Sequence, residues 1–290
     1  MVFNAVLSAS AAEQAAIDGL KTGIAAMEVP KLAHGPELDD AQTLLRFVRG
    51  YHLNVKDAVK AFGDMLAWRK ANNIDAMRED MYAAAAESTE ELLWPHQLKK
   101  FEPLVACTGG GLMRRIGTSV NGMPATLCLL HLYDVKKVIK EGLASLLLEL
   151  QQYQDEYWHV ALHRSSHAAG AMHARVDVVG AHELGLFHFG ISEARLLMKV
   201  LEGAKNYPET CARIVSVGNG KALLAMYNAV IRPFMPQHTK DKILVLGRDI
   251  ERPSCQEQIG FDDAAYATLL ELTGRRAAPA AASAPAVAIS

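Results

Sequence analysis

The sequence has little of what marks several large classes of protein. Its 290 residues include only four cysteines, and no two of them form a C-x-x-C pair. This excludes a disulfide framework and a zinc-finger pattern, and it favours a reducing, cytosolic setting. No apolar run reaches the roughly 18 residues that a membrane-spanning helix needs. The formal net charge is −2, so no general basic field attracts nucleic acid.

Both ends of the chain are poor in structural signals. The opening MVFNAVLSASAAEQ has no positively charged leader, and we expect no secretory signal peptide. The closing RRAAPAAASAPAVAIS lacks the large side chains that offset the entropy of ordering. The sequence therefore predicts a disordered tail over 274–290.

The first half of the chain has helical periodicity. The stretch AQTLLRFVR (41–49) follows acidic residues that cap a helix. Asn54 is a second cap candidate, and the apolar residues after it recur at helical spacing: Val55, Ala58, Val59, Phe62, Met65 and Leu66. A looser Ala-rich helix is predicted over 10–28. These patterns predict a small all-helical unit over residues 36–75.

The second half alternates between strands and helices. Buried-strand patterns occur at 126–133, 173–180, 212–217 and 242–247. Helices are predicted between them, at about 141–168, 191–205 and 222–231. Alternation of this kind predicts an α/β fold with at least some parallel strand pairs.

The segment KALLAMYNAVIRPFMP (221–236) is apolar on nearly every side of its helix. Its ten helical residues span only about 15 Å, which is too short to cross a membrane. The helix must end near Pro233, because the residue before a proline is displaced from the helical region. Such a helix is either buried in a core or covers another apolar group.

The histidines offer one candidate for metal chemistry. His159, His163 and His167 are four residues apart, which places them along one face of a helix. The pattern favours a solvated or interface face, and a metal-dependent enzyme is the weaker alternative. We find no other catalytic set, and the expectation is a protein that is not an enzyme and that uses no cofactor or metal.

Five motifs in order resemble the CRAL-TRIO family of lipid-binding and lipid-transfer proteins, phosphatidylinositol-transfer type. LLRFVRGYHLNVKDAVKAFGDMLAWRKANNID (44–75) is similar to the helical region that precedes its lipid-binding domain. NGMPATL (121–127), VDVVG (176–180), NYPE (206–209) and RPFMPQHTKDKILVLG (232–247) are similar to later motifs of the family. The resemblance covers about residues 36–250.

The resemblance implies a mixed sheet that floors a hydrophobic lipid pocket, closed by a mobile apolar gate helix. It divides the chain into a partly helical extension (1–35), the helical region (36–100), the lipid-binding domain (101–273) and the tail (274–290). The implied pocket wall is Met172, Ala174 and Val176. The implied gate residues are Leu223, Leu224, Met226, Tyr227 and Val230.

The family also implies a lipid headgroup site at Glu209, Thr239 and Lys242. A Lys supplies charge-assisted donors for phosphate, and Thr and Glu suit inositol hydroxyls. The chain departs from the family where a basic pair is usual, since Tyr51 and His52 stand there. A structural ion pair between Glu209 and Lys242, with a sterol or isoprenoid ligand, is the alternative.

The implied function is non-enzymatic binding and intermembrane transfer of a hydrophobic lipid, with phosphatidylinositol as the first candidate. The expected protein is a cytoplasmic monomer that touches a membrane transiently and binds no nucleic acid. A lipid-sensing regulatory module that contacts a partner protein is the alternative.

Overall fold

A computed structural model describes residues 5–6, 9–86, 92–108, 112–181, 190–234, 237–251 and 253–274. Its strands are β1 (Ala5–Val6), β2 (Arg114–Thr118), β3 (Pro124–Leu129), β4 (Ala171–Met172), β5 (Arg175–Gly180), β6 (Cys211–Val217) and β7 (Ile243–Val245). Its α-helices are α1 (Ala11–Ile24), α2 (Ala41–Gly50), α3 (Val55–Ala71), α4 (Ile74–Ala86), α5 (Glu102–Thr108), α6 (Val135–Lys140), α7 (Ala144–Ala169), α8 (Ile191–Leu201), α9 (Lys221–Met226), α10 (Gln237–Lys242), α11 (Pro253–Ile259) and α12 (Asp263–Leu272).

The chain forms two compact units that interleave along the sequence. The helical unit comprises Met1–Leu112, Leu132–Arg175 and Phe187–Ala212, and the sheet unit comprises Met113–His131, Val176–Leu186 and Arg213–Ser290. The predicted domains are consecutive segments of the chain, and their boundaries stay a prediction. The predicted tail lies outside the described residues apart from Gly274.

Helix α1 is part of the core of the helical unit. Ser10 caps it in a reciprocal capping box with Glu13, the arrangement that satisfies two free N–H groups at a helix start. Its buried side includes Ile17 and Leu20, which lie in one apolar cluster with α2 and α3. Glu13 also accepts a 2.7 Å hydrogen bond from Arg49 of α2. The helix is shorter than the predicted 10–28, and the extension packs as closely as the helices that follow it.

The sheet has the strand order β2-β3-β5-β6-β7. Strands β2 and β3 pair antiparallel, whereas β3 pairs parallel with β5 and β6 pairs parallel with β7. The sheet is mixed and the fold is α/β, so the predicted fold class is confirmed. The four predicted strands appear as β3, β5, β6 and β7. Strand β2 was not predicted, because RRIGT has neither alternation nor a continuous apolar run.

Two predicted strand boundaries were wrong. The stretch predicted at 126–133 leaves the sheet at Leu129 and continues as a 3₁₀ turn over Leu130–Leu132. The stretch predicted at 173–180 begins two residues later, at Arg175. Apolar residues continue past the strand in the first case, although none of those in the turn is buried, and hydropathy alone does not distinguish a strand from an apolar turn.

Among the described residues, no helix is both long enough and apolar enough to cross a membrane.

Candidate functional site

Strands β3 and β5 present one wholly apolar face. They run in parallel, with Ala125 beside Val176 and Leu127 beside Val178. All four side chains are buried, and because side chains alternate along a strand, they share one face of the sheet. This part of the sheet is therefore an apolar surface that is already covered within the folded chain.

The opposite face of the same strand pair contains a buried polar contact. Thr126 Oγ1 donates a 2.7 Å hydrogen bond to Asp177 Oδ1, and both residues are buried. A buried carboxylate is costly unless it is hydrogen-bonded. The sequence analysis missed this pair, which is visible only as an Asp and a Thr inside two apolar strands.

Strands β6 and β7 leave apolar surface accessible. Ile214 is 36% exposed although β6 lies between β5 and β7 in the sheet. Its neighbour in β7 is Ile243, and all three residues of β7 are only half-buried. Strands inside parallel sheets are usually covered on both faces. The accessible isoleucines therefore form an apolar floor that an apolar partner would remove from water.

The predicted gate is helical throughout but is not a single α-helix. Helix α9 ends at Met226, the next turn is the wider π form over Tyr227–Ile231, and a 3₁₀ turn follows over Arg232–Phe234. Pro233 contributes to the change, because a proline has no N–H and its ring clashes with the carbonyl four residues earlier. Wide turns of this kind recur at functional sites.

The described gate side chains are only partly covered. Leu224 and Tyr227 are half-buried, and Ala225, Asn228 and Ala229 are exposed. The side chains of Leu223, Met226 and Val230 lie outside the described part. The helix is therefore not a fully buried core helix along the residues that the structure describes.

The three predicted headgroup residues fall in different units. Thr239 and Lys242 lie three residues apart in α10, and Lys242 is half-buried where β7 begins. Glu209 lies in the helical unit, in a left-handed backbone conformation with φ of 55°. The shared headgroup role of the three residues stays a prediction.

The Tyr207-Pro208-Glu209 turn is held from two sides within the helical unit. Tyr207 donates a 2.6 Å hydrogen bond from its hydroxyl to Glu156. Pro208 packs on Gly50 at the end of α2 so closely that a Cβ on Gly50 would lie 2.7 Å from Pro208 Cβ. A cavity of about 10 Å³ lies beside the turn, which has room for about one water molecule and none for an acyl chain.

Beneath this turn lies a buried ionic cluster that the sequence analysis did not find. Glu156 of α7 accepts hydrogen bonds from Arg69 at 2.7 Å and from Arg78 at 2.5 Å. Arg69 also donates to Asp75 at 2.5 Å. The Glu156 and Arg78 side chains are fully buried and Arg69 is 1% exposed. Arg69 belongs to the 44–75 motif and Tyr207 to the NYPE motif (206–209), so residues of two motifs meet in this cluster.

The electrostatics of the cluster favour the ionised carboxylate. Burial raises the pKa of Glu156, but the charges of Arg69 and Arg78 outweigh burial and hold that pKa well below its ordinary value. Burial raises the pKa of the Tyr207 hydroxyl well above its ordinary value, and the adjacent carboxylate raises it further. The tyrosine therefore stays protonated and can donate to Glu156.

Comparison with known proteins places the chain near phospholipid-transfer proteins. The Sec14 cytosolic factor of Schizosaccharomyces pombe is 23% identical over 257 residues, which cover 87% of this chain and 79% of that protein. The phosphatidylinositol/phosphatidylcholine transfer protein SFH9 of Arabidopsis thaliana is 23% identical over 215 residues, 73% of this chain and 34% of the relative. The Protein real-time of Drosophila pseudoobscura pseudoobscura is 26% identical over 216 residues, 72% of this chain and 29% of the relative.

The fold agrees with these relatives. The crystal structure of Sfh5 matches with a TM-score of 0.50 and 14% identity, over 82% of this chain and 81% of that one. The chain therefore resembles Sec14-type proteins in sequence and in fold. The predicted resemblance to the CRAL-TRIO family is confirmed. No family model matches the chain, and the chain spans about a third of the length of the first curated relatives it matches.

The predicted pocket wall of this Sec14-like chain does not lie on one regular strand. Met172 ends β4 and is buried in the apolar cluster that includes α1, α2 and α3. Ala174 is half-buried in the link between β4 and β5, and Val176 belongs to the apolar face of β5. The wall assignment of these three residues stays a prediction.

The Sec14-like chain replaces the family's basic pair with a tight turn. Tyr51 ends α2 and is half-buried against the neighbouring apolar cluster. His52 and Leu53 both have positive φ, 53° and 63°, a conformation that is uncommon for residues other than glycine. The turn thus carries an aromatic ring and an imidazole where the family has two cations.

The three histidines of α7 have different surroundings. His159 is buried, and its burial lowers its pKa to about 3, so the ring is neutral. His163 Nε2 lies 3.0 Å from Asp40 Oδ2, and the rings of His163 and His167 are 4.6 Å apart. Within the described ranges, no group of three or more His, Cys, Asp or Glu side chains is placed to hold a metal ion.

Proposed function

We propose that this chain binds a hydrophobic lipid on the apolar face of its sheet unit and carries it between membranes without chemical reaction. The observation that carries the proposal is the half-exposed apolar floor of β6 and β7, where a strand inside the sheet leaves Ile214 36% exposed. Covering several such side chains stabilises by roughly 1.5–3 kcal/mol each. Relatives of this chain are named as phosphatidylinositol/phosphatidylcholine transfer proteins.

The proposed ligand is a phospholipid, with phosphatidylinositol as the first candidate. Lys242 would donate to the phosphate, Thr239 would offer a hydroxyl, and Glu209 would accept from inositol hydroxyls. The proposed carrier is a monomer in the cytoplasm that docks on membranes only to exchange its lipid, and it needs no cofactor.

The first test is the lipid content of the natively purified protein. Extraction with organic solvent followed by mass spectrometry is expected to release phosphatidylinositol, in an amount reduced by Lys242→Ala. A sterol or isoprenoid instead would support the carrier and overturn the headgroup assignment. A protein that is empty and also moves no lipid between vesicles would overturn the carrier itself.

The gate helix gives a second prediction. Leu224→Asp is expected to slow lipid transfer between vesicles by about tenfold or more. It replaces a half-buried apolar contact that is worth about 1.5–3 kcal/mol, and about 1.4 kcal/mol is a factor of ten. The matched control is Asn228→Asp, which adds the same charge at an exposed position of the same helical segment. Equal transfer rates for the two variants would mean that this segment is not a gate.

A further inference from the structure

Arg46 of α2 is a buried cation whose donors go chiefly to backbone carbonyls. Arg46 is only 4% exposed. Its Nη1 lies 2.5 Å from the carbonyl oxygen of Glu209, and its Nη2 lies 2.7 Å from that of His173. A weaker contact of 3.4 Å joins Nη2 to Ser166 Oγ. The two carbonyls come from segments that follow Arg46 by 163 and 127 residues.

Both carbonyls belong to segments with a proposed ligand role. Glu209 is the proposed acceptor for the headgroup, and His173 stands between Met172 and Ala174 of the predicted wall. The backbone at Glu209 is left-handed, with φ of 55°, a conformation that costs energy for a residue with a side chain and persists only where its surroundings hold it. Arg46 holds it through the carbonyl of that same residue.

The Glu209 turn is further fixed by contacts that agree with this tether. Gly50, at the opposite end of α2 from the N-cap, approaches Pro208 too closely to accept a Cβ. The N–H of Arg175 donates to Thr210 O at 2.9 Å, which joins the turn to the segment that contains His173. The end of α2, the turn and the start of β5 are therefore one connected network within the helical unit.

We propose that Arg46 is the positioning residue for Glu209, the proposed headgroup acceptor in the helical unit: its guanidinium fixes Glu209 and the 172–174 segment in the arrangement that binds lipid. The inference rests on the proposed function. An arginine is required because its planar fork presents two Nη atoms in a fixed geometry, whereas a lysine offers a single ammonium group that cannot span both carbonyls in the same way.

The test compares Arg46→Lys with Arg164→Lys in vesicle binding. Arg164 of α7 is the matched control, since it is a partly buried arginine of the same unit that donates to the Tyr82 hydroxyl at 2.8 Å and belongs neither to the Glu209 turn nor to the ionic cluster beneath it. The probe is phosphatidylinositol in phosphatidylcholine vesicles. The reference is phosphatidylcholine vesicles that contain a sterol in place of phosphatidylinositol. Arg46→Lys is expected to weaken phosphatidylinositol binding relative to sterol binding by about tenfold, the effect of one lost charge-assisted hydrogen bond.

The outcomes separate this inference from the proposed function. A selectivity ratio that falls only in Arg46→Lys supports the inference. A ratio that is unchanged in Arg46→Lys, or that falls equally in Arg164→Lys, overturns the inference. The proposed carrier function still stands in that case if the wild-type protein transfers lipid. A wild-type protein that binds neither vesicle overturns both.

A measurement on the wild type keeps the inference testable if Arg46→Lys does not fold. Hydrogen exchange in the absence of vesicles is expected to be slow in peptides that cover 172–175 and 207–210, because a tethered turn is ordered before the ligand arrives. Exchange there as fast as in an unstructured peptide would overturn the inference.

Discussion

Replacing Glu156 with Gln is expected to lower the free energy of unfolding by about 3–5 kcal/mol, because it leaves buried guanidinium groups without their shared carboxylate. Arg69 keeps Asp75 as a partner, whereas Arg78 keeps two neutral acceptors, the carbonyls of His34 and Pro36. Urea unfolding followed by circular dichroism measures the change.

An exposed ion pair gives the matched control for this prediction. Lys60 and Asp64 are 2.5 Å apart on α3 and both are largely exposed. Asp64→Asn is expected to change the free energy of unfolding by no more than about 0.5 kcal/mol, the usual value for such a pair four residues apart on a helix. A loss below about 1 kcal/mol for Glu156→Gln would mean that the buried carboxylate contributes no more than a surface one.

The same carboxylate sets an acid limit on stability. The pKa of Glu156 in the folded protein lies below its ordinary value of 4.5, because the charges of Arg69 and Arg78 outweigh the opposing effect of burial. Its contribution is therefore complete above about pH 4.5 and is lost as the pH falls below that value. The unfolding free energy of the wild type is expected to fall more steeply in acid than that of Glu156→Gln. Parallel curves would contradict this assignment.

Replacing Gly117 with Ala is expected to produce the second large loss, in the sheet unit. Gly117 lies at the irregularity between β2 and β3 with φ of 146°, a region that costs about 1–3 kcal/mol for a residue with a side chain. A Cβ there would lie 2.8 Å from Ala265 Cβ and 3.1 Å from Ala265 Cα of α12. Overpacking of this kind costs about 1–3 kcal/mol more.

Gly260 separates the two costs of the Gly117 substitution. It lies in the same unit with φ of 78°, and nothing lies within 4 Å of a Cβ built there. Gly260→Ala is expected to cost about 1–2 kcal/mol from backbone strain alone. Thermal unfolding of both variants should show a clearly lower midpoint for Gly117→Ala. Equal midpoints would mean that α12 moves away from β2 at little cost.

Local sequence patterns predict most of the helices and strands of this chain. Helices α2 and α3 can be predicted from the sequence because their caps and apolar spacing are local properties. Strands β5, β6 and β7 appear because they are short apolar runs between turn-forming residues. Strand β2 does not appear, since it is stabilised by pairing with β3 and by α12 rather than by its own composition.

The candidate site was only partly visible in the sequence. The order of the motifs indicated the family resemblance. That resemblance predicted a shared headgroup role for Glu209, Thr239 and Lys242. The half-exposed position of Ile214 could not be predicted, because a buried apolar strand and an apolar floor have the same composition. The tether from Arg46 was also missed, since its two acceptors are backbone carbonyls and carry no residue-type signal.

The sequence by itself determined the α/β class, the apolar character of the 221–236 segment and the resemblance to the CRAL-TRIO family, because periodicity and motif order are properties of neighbouring residues. Only the tertiary structure decided which charges are buried together. Arg69 and Arg78 meet Glu156 across 87 and 78 residues of chain. Burying a charge is tolerable only when its partner is brought beside it, and the folded chain alone specifies that partner.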